Sequence, residues 1–177
     1  DGEPVTAADF KFTYDALASP QVQSPYRDRT VGIVNIAAPD ARTVVVTLAG
    51  PNCAVLHSLR QPLLPSHKFA ADFSDLSTNS LNQAPTVSAG PFLFVEQVPG
   101  ERVLLVRNAD FWQGAAQIQR WEVQIMPDPN ARREALADGL IDLAHFNADE
   151  VVATSLDAGS TVTVNYLPTD GYSFLAF

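Results

Sequence analysis

The spacing of apolar and polar residues predicts that the chain opens with an amphipathic helix. Thr6 suits the N-cap, and Asp9 lies three residues later, where a capping box places an acidic side chain. The following turns put apolar residues on one face at helical spacing: Phe10, Tyr14 and Leu17. Because Pro20 follows Ser19, we expect the helix to end there.

A β-hairpin is predicted next, from the β-rich runs at residues 31–36 and 43–48. The sequence Pro39-Asp40-Ala41-Arg42 between them favours a turn, since proline presets φ and aspartate can hydrogen-bond its own backbone. Beyond the hairpin we expect Asn52 to cap a short helix that carries Val55, Leu56 and Leu59.

Residues 66–73 are predicted to form another short helix. The next segment, residues 74–87, is rich in Ser, Thr, Asn and Gln and has little to bury, so we expect an exposed loop.

Three strands are predicted in the centre of the chain. An apolar run at residues 92–95, the turn Pro99-Gly100-Glu101 and a second run at residues 103–106 indicate a hairpin. A third strand then alternates with period two and places three apolar residues on one face: Trp121, Val123 and Ile125. Together with Phe92 and Phe94, these residues are expected to form a buried core.

A helix is predicted after the third strand, because Asp128 can cap it, Pro129 suits its first turn and Gly139 can end it. We expect Leu136 to pack from this helix onto the sheet. Residues 141–143 are then predicted to form a returning strand, which makes an α/β unit. Further on, Asn147 is predicted to cap a helix at residues 148–156, and strands are expected at residues 161–166 and 172–177.

Composition and charge narrow the function classes. The chain has 177 residues, of which 46% are hydrophobic, enough for a compact domain with a core. Twenty acidic residues against eleven basic ones give a formal charge of −9, which argues against binding to nucleic acids or anionic membrane surfaces. Cys53 is the single cysteine, so an internal disulfide is excluded.

Candidate chemistry is sparse, and the usual catalytic motifs are absent from the sequence. Cys53 and His57 lie four residues apart, a spacing that would suit a nucleophile and its base or two metal ligands on one helical face. Because no third ligand or orienting acid lies near them in sequence, a structural role is favoured. His67 and His145 are interpreted as surface or capping side chains, and core packing is favoured over ligand stacking for Trp121.

A series of ordered motifs resembles one protein family. The chain begins with D-G-E-P-V-T-A-A-D-F-K-F-T-Y and continues with S-P-Y at residues 24–26, S-A-G-P-F at residues 88–92, R-N-A-D-F-W at residues 107–112 and P-D-P-N-A-R at residues 127–132. In this order the motifs resemble the family 5 extracellular solute-binding proteins, which are the dipeptide- and oligopeptide-binding components of ABC importers.

The resemblance implies an α/β fold of the type II periplasmic-binding-protein kind, with a mixed sheet, flanking helices and an incomplete lobe. Residues 1–64 are expected to belong to an accessory subdomain and residues 65–177 to part of the first lobe, ending at a hinge strand. Family members are usually about three times as long as this chain, so we expect an internal piece whose open strand edges favour self-association. The motif around Trp112 implies that its indole covers one end of the sheet.

The implied function is non-enzymatic and needs no cofactor: capture of a peptide or similar small solute and its delivery to an ABC permease. Nickel chelates, haem and sugars are alternative solutes within the family, while a Cys/His hydrolase or a protein-interaction domain are alternatives from other classes. The resemblance places the protein outside the cytoplasm, lipid-anchored in its full-length form. It also implies two solute contacts in the full-length protein, Tyr26 from the S-P-Y motif and Phe174 from the strand that enters the hinge. The alternative role for Tyr26 is that of a surface aromatic residue that anchors its loop.

Overall fold

The computed structural model describes residues 1–147 and residue 163. Its helices and strands, in chain order, are α1 (Ala7–Ala18), β1 (Ile33–Asp40), β2 (Thr43–Leu48), α2 (Val55–Ser58), β3 (Phe92–Val98), β4 (Arg102–Arg107), β5 (Arg120–Gln124) and α3 (Pro129–Ala137). The chain divides into two compact units, Asp1–Val123 and Gln124–Phe177. Apart from residue 163, the helix predicted at residues 148–156 and the strands predicted at residues 161–166 and 172–177 lie outside the described residues.

Helix α1 begins as its sequence predicts. The Asp9 carboxylate accepts hydrogen bonds from the backbone N–H of Thr6 at 2.7 Å and from its hydroxyl at 3.2 Å, which satisfies a donor that the first helical turn leaves without a partner. The Ala7 N–H donates to the Ala41 carbonyl at 2.9 Å and so joins the start of the helix to the turn of the first hairpin. Tyr14, only 1% exposed, and Ala16 lie on the buried face of the helix.

Strands β1 and β2 form the predicted antiparallel hairpin, with Ile36 opposite Val46. Ile36 is buried, and the positions of β2 alternate between exposed and half-buried, as the period of two requires. In the turn, an Asp40 carboxylate oxygen accepts from the Arg42 N–H at 2.8 Å, which is the local bond expected of aspartate in a turn.

The second sheet has the strand order β3-β4-β5. β3 and β4 are antiparallel, with Phe94 opposite Leu105, and the register shifts between Phe94 and Glu96 so that Val95 forms a bulge. Gly100 has φ +76° in the connecting turn, a conformation that favours glycine. Asn108 closes the end of this hairpin: its backbone N–H donates to Pro91 O, and its side-chain amide donates to Gly90 O, each at 2.9 Å.

The prediction that the apolar residues of the third strand are buried in a core is wrong. Trp121 is 37% exposed, and Val123 and Ile125 are exposed as well. The predicted face is correct, because the Trp121 and Phe92 rings lie 5.9 Å apart between centroids. However, no residue of β3, β4 or β5 is buried. Period-two alternation identifies an apolar face but does not supply an element that covers it.

Trp112 also departs from its predicted role, since it is 78% exposed and contacts the Phe111 ring with 6.0 Å between centroids. The expectation that its indole covers one end of the sheet is wrong. The end of the hairpin is closed instead by Asn108, whose short amide reaches the Gly90 carbonyl.

Helix α3 begins and ends where predicted. An Asp128 carboxylate oxygen accepts from the Asn130 N–H at 3.0 Å, with Pro129 in the first turn. At the other end Gly139 has φ +71°, and the Leu140 N–H returns to the Ala135 carbonyl at 2.8 Å, a glycine-terminated C-cap. Leu136 is half-buried, and its packing on the sheet stays a prediction.

Three short elements differ from their predictions. Residues 141–143 form no strand, because so few residues provide few ladder hydrogen bonds and Leu143 is exposed. The N-cap of α2 is Ala54 and not Asn52, whose side chain accepts from the Ala54 N–H in the preceding turn. The helix predicted at residues 66–73 is a single 3-10 turn, Ser66–Lys68, and Phe73 has φ +62°, which is not helical. In the segment predicted as a loop, residues 74–78 form turns, Ser80–Asn82 forms a 3-10 turn, and residues 84–87 have no regular structure.

Candidate functional site

Tyr26 lies in the connection between α1 and β1 and is 51% exposed. It directly precedes a 3-10 turn, Arg27–Thr30. The Tyr26 N–H donates to the Ser24 hydroxyl at 3.2 Å, and the Tyr26 carbonyl accepts from the Arg29 N–H at 3.1 Å. These bonds fix the backbone of the S-P-Y motif and leave the aromatic ring and its hydroxyl at the surface.

Arg27 attaches this connection to the end of α1. Its guanidinium donates to the carbonyls of Ser19, the C-cap of the helix, and of Val22, the latter at 2.7 Å. The last carbonyls of a helix have no partner within it and carry partial negative charge, so a cation stabilises them. Arg27 therefore has a structural role in positioning the loop that carries Tyr26.

Arg29 and Gln61 complete the surroundings of Tyr26. The Arg29 guanidinium carbon lies 5.5 Å from the centroid of the Tyr26 ring, within the range of a cation–π contact. With the Gln61 amide oriented so that its oxygen faces Arg29, that oxygen lies 2.9 Å from both Nε and Nη1. Neither Arg29 nor Gln61 was identified from the sequence, because 32 residues separate them and no local pattern pairs them.

Buried polar groups of α1 support the segment that carries Gln61. The Tyr14 hydroxyl donates to the Ser58 carbonyl at 3.1 Å and accepts from the Gln61 N–H at 3.4 Å. Burial raises the pKa of the Tyr14 hydroxyl; the Gln61 N–H and the charge of Arg29 act in the opposite direction. Tyr14 was predicted only as an apolar position of the helix, so its hydrogen bonds were missed.

Asp9 and Thr13 extend the same support toward Ser66. The Thr13 hydroxyl accepts from the Leu64 N–H at 2.9 Å. The Asp9 carboxylate accepts from the Ser66 N–H at 2.8 Å and from the Ser66 hydroxyl at 2.7 Å. Burial alone would raise the pKa of Asp9, but the hydrogen bonds from Thr6 and Ser66 outweigh it and hold that pKa below its ordinary value of 3.8.

The remaining candidates are not brought into this site. Phe174 lies outside the described residues. A cavity of about 340 Å³ is lined by Asp1, Lys68 and neighbours at residues 79–81 and 86–87, and Tyr26 is not among its lining residues. The structure places His67 at the surface, where its Nε2 lies 2.7 Å from a carboxylate oxygen of Asp1, a surface role as predicted.

Cys53 and His57 are both exposed. Across residues 1–147, no three His, Cys, Asp or Glu side chains form a group that could hold a metal ion. In the same part of the chain, no helix has the length and apolar character needed to cross a membrane.

The family profile described as "Bacterial extracellular solute-binding proteins, family 5 Middle" matches residues 1–177. The chain belongs to this family. A protein of Brucella abortus carries the provisional name ABC transporter peptide-binding protein. It is 30% identical to this chain over 175 residues, and the match covers 94% of this chain and 33% of that protein. The chain thus spans about a third of the length of the curated relatives it matches.

Solved structures of family 5 proteins have the same fold. NikZ from Campylobacter jejuni, in complex with Ni(L-His), matches with a TM-score of 0.72 and 29% identity over 80% of this chain and 28% of that chain. DppA from Helicobacter pylori, in complex with the peptide STSA, matches with a TM-score of 0.61 and 25% identity over 77% of this chain and 29% of that chain. The predicted fold, part of a type II periplasmic binding protein, is confirmed.

Proposed function

We propose that this chain is the middle part of a longer solute-binding protein that captures a peptide or similar small solute outside the cytoplasm and delivers it to an ABC permease. The observation that carries the proposal is the family match over residues 1–177. The Brucella relative, named for peptide binding, supports the peptide class. A nickel chelate is the second candidate, because the Campylobacter jejuni neighbour is in complex with Ni(L-His). Haem and sugars remain further alternatives. The proposed function involves no catalysis.

The exposed apolar residues of the second sheet support a longer protein. Strands β3 and β4 each contain a run of four apolar residues, 92–95 and 103–106, and none of these residues is buried. Such runs are typical of strands that other elements cover on both faces. The rest of the longer protein would supply that cover. In the isolated chain the same surface and open strand edges would favour self-association.

We further propose that residues 1–64 belong to the accessory subdomain and residues 65–177 to the first lobe. Hydrogen bonds from α1 reach Leu64 and Ser66 on either side of this boundary. The chain would therefore pass from one subdomain to the other at a point held by buried polar groups. A lipid anchor elsewhere in the longer protein would keep it at the cell surface.

Tyr26 and Phe174 are the proposed solute contacts. An exposed tyrosine suits this role because its ring offers apolar area, while its hydroxyl can donate to and accept from a peptide backbone. The loop below Tyr26 is already held by Arg27 and Ser24. Little conformational entropy of the loop would then be lost on binding.

Calorimetry with the full-length protein and the solute released from it on purification tests this proposal. Tyr26→Ala is expected to weaken binding by about 1–2 kcal/mol, the size of one hydrogen bond and part of a buried ring. The melting temperature without solute should stay unchanged. Val31→Ala is a matched control, since Val31 is exposed at the end of the same 3-10 turn. Unchanged affinity in Tyr26→Ala would remove Tyr26 from the site.

A further inference from the structure

We propose that Arg29 is a second solute-binding residue beside Tyr26 and that it recognises a carboxylate of the solute. This inference rests on the proposed function, because it takes the surface around Tyr26 as the solute site. It adds a specificity: solutes with a free carboxylate would bind in preference to their neutral amides.

The first observation is the stacking of Arg29 on Tyr26. The guanidinium carbon lies 5.5 Å from the ring centroid, the ring is 51% exposed, and Arg29 itself is half-buried. Stacking uses the face of a guanidinium and leaves its in-plane N–H groups available for hydrogen bonds. A solute that touches the exposed ring would therefore also come within reach of these donors.

The second observation is that the partners of Arg29 leave its charge uncompensated. Gln61 holds Nε and Nη1 through a neutral amide oxygen, and the Tyr26 ring is neutral as well. Within residues 1–147, none of the ion pairs of the structure includes Arg29.

Arg27, two residues earlier, shows the opposite arrangement. Its guanidinium donates to the carbonyls of Ser19 and Val22 and so stabilises the end of α1. Among the described residues, Arg29 contacts no helix end, and Gln61 instead fixes the direction of its guanidinium. A guanidinium held in place with donors to spare is preorganised for a planar carboxylate, which it can bind through two parallel hydrogen bonds.

Two measurements on the full-length protein test this inference. The first follows the side-chain NMR signal of Arg29, assigned by its loss in Arg29→Gln, while acetate or acetamide is added to the solute-free protein. The second uses two pools of random tripeptides, one with a free C-terminal carboxylate and one with a C-terminal amide. The two pools compete for the protein, and the measurement is the ratio in which they are bound. We expect acetate to shift the Arg29 signal saturably and acetamide to leave it unchanged. The wild-type protein should prefer the carboxylate pool about tenfold.

Substitutions separate recognition from positioning. Arg29→Gln is expected to reduce the preference to within twofold, and Arg29→Lys should keep part of it because the charge remains. Arg42→Gln makes the same change of charge in the exposed β1–β2 turn and should leave the preference intact. If Arg29 only positioned the Tyr26 ring, Arg29→Gln would weaken both pools equally, and that result would overturn the inference.

The two proposals fail in different ways. If acetate does not shift the Arg29 signal, the carboxylate contact is wrong whatever the peptides do. If acetate shifts the signal but neither pool binds, the carboxylate contact is supported and the peptide class of the proposed function is wrong. If both pools bind and Arg29→Gln retains the tenfold preference, the solute site stands and Arg29 does not determine its specificity.

Discussion

Replacing Asp9 with alanine is expected to destabilise the protein strongly, because one carboxylate joins the start of α1 to a segment 57 residues away. It accepts four hydrogen bonds: from the backbone N–H and the hydroxyl of Thr6, and from the same two groups of Ser66. A hydrogen bond to a charged group contributes about 1.5–3 kcal/mol, and bonds that share one carboxylate do not add. Since Asp9 is buried and its partners only partly so, we expect a loss of about 2–4 kcal/mol in the free energy of unfolding.

Urea unfolding monitored by circular dichroism measures this loss, and its pH dependence gives a second test. Because the pKa of Asp9 is lowered in the folded protein, its stabilisation is fully present above the ordinary value of 3.8. It disappears as the pH falls through the lower folded-state pKa. The difference between wild type and Asp9→Ala should therefore be largest near neutral pH and shrink in that acidic range.

Asp15→Ala is the matched control, since Asp15 lies on the same helix and forms an exposed ion pair with Lys11. Such surface pairs contribute about 0–1 kcal/mol. If Asp9→Ala unfolded within 0.5 kcal/mol of wild type at neutral pH, or if its deficit persisted unchanged into acid, the assignment of Asp9 as the connection to Ser66 would be refuted.

Two further substitutions test the packing. Tyr14→Phe removes the hydroxyl that bonds to Ser58 and Gln61. It should lower the free energy of unfolding, measured with urea, by about 1–2 kcal/mol. An unchanged free energy of unfolding would mean that water replaces these bonds without loss. Trp121→Ala should lower the free energy of unfolding of the 177-residue chain by about 1–2 kcal/mol, whereas the loss of a core tryptophan lowers it by roughly 3–5 kcal/mol. The smaller loss is expected because Trp121 is partly exposed and packs on Phe92. A core-sized loss on thermal melting would contradict the exposed face.

The sequence by itself determined those elements whose signals are local. The capping acid Asp9, the turn at Asp40 and the cap and glycine that bound α3 act over two to six residues, and each appears in the structure at its predicted place. Hydrogen bonds of this reach depend on residue type and backbone conformation, which sequence patterns report directly. The family motifs are also short stretches of sequence, and they indicated the family correctly.

Only the tertiary structure decided which distant groups meet. Asp9 accepts hydrogen bonds from Ser66, and Arg29 contacts Gln61, although nothing in the local sequence pairs Asp9 with Ser66 or Arg29 with Gln61. The same limit explains the error at Trp121: periodicity shows which face of a strand is apolar, whereas burial depends on the elements that fold against that face. Local hydrogen bonds are specified residue by residue, but long-range contacts and burial follow from the packing of the whole fold.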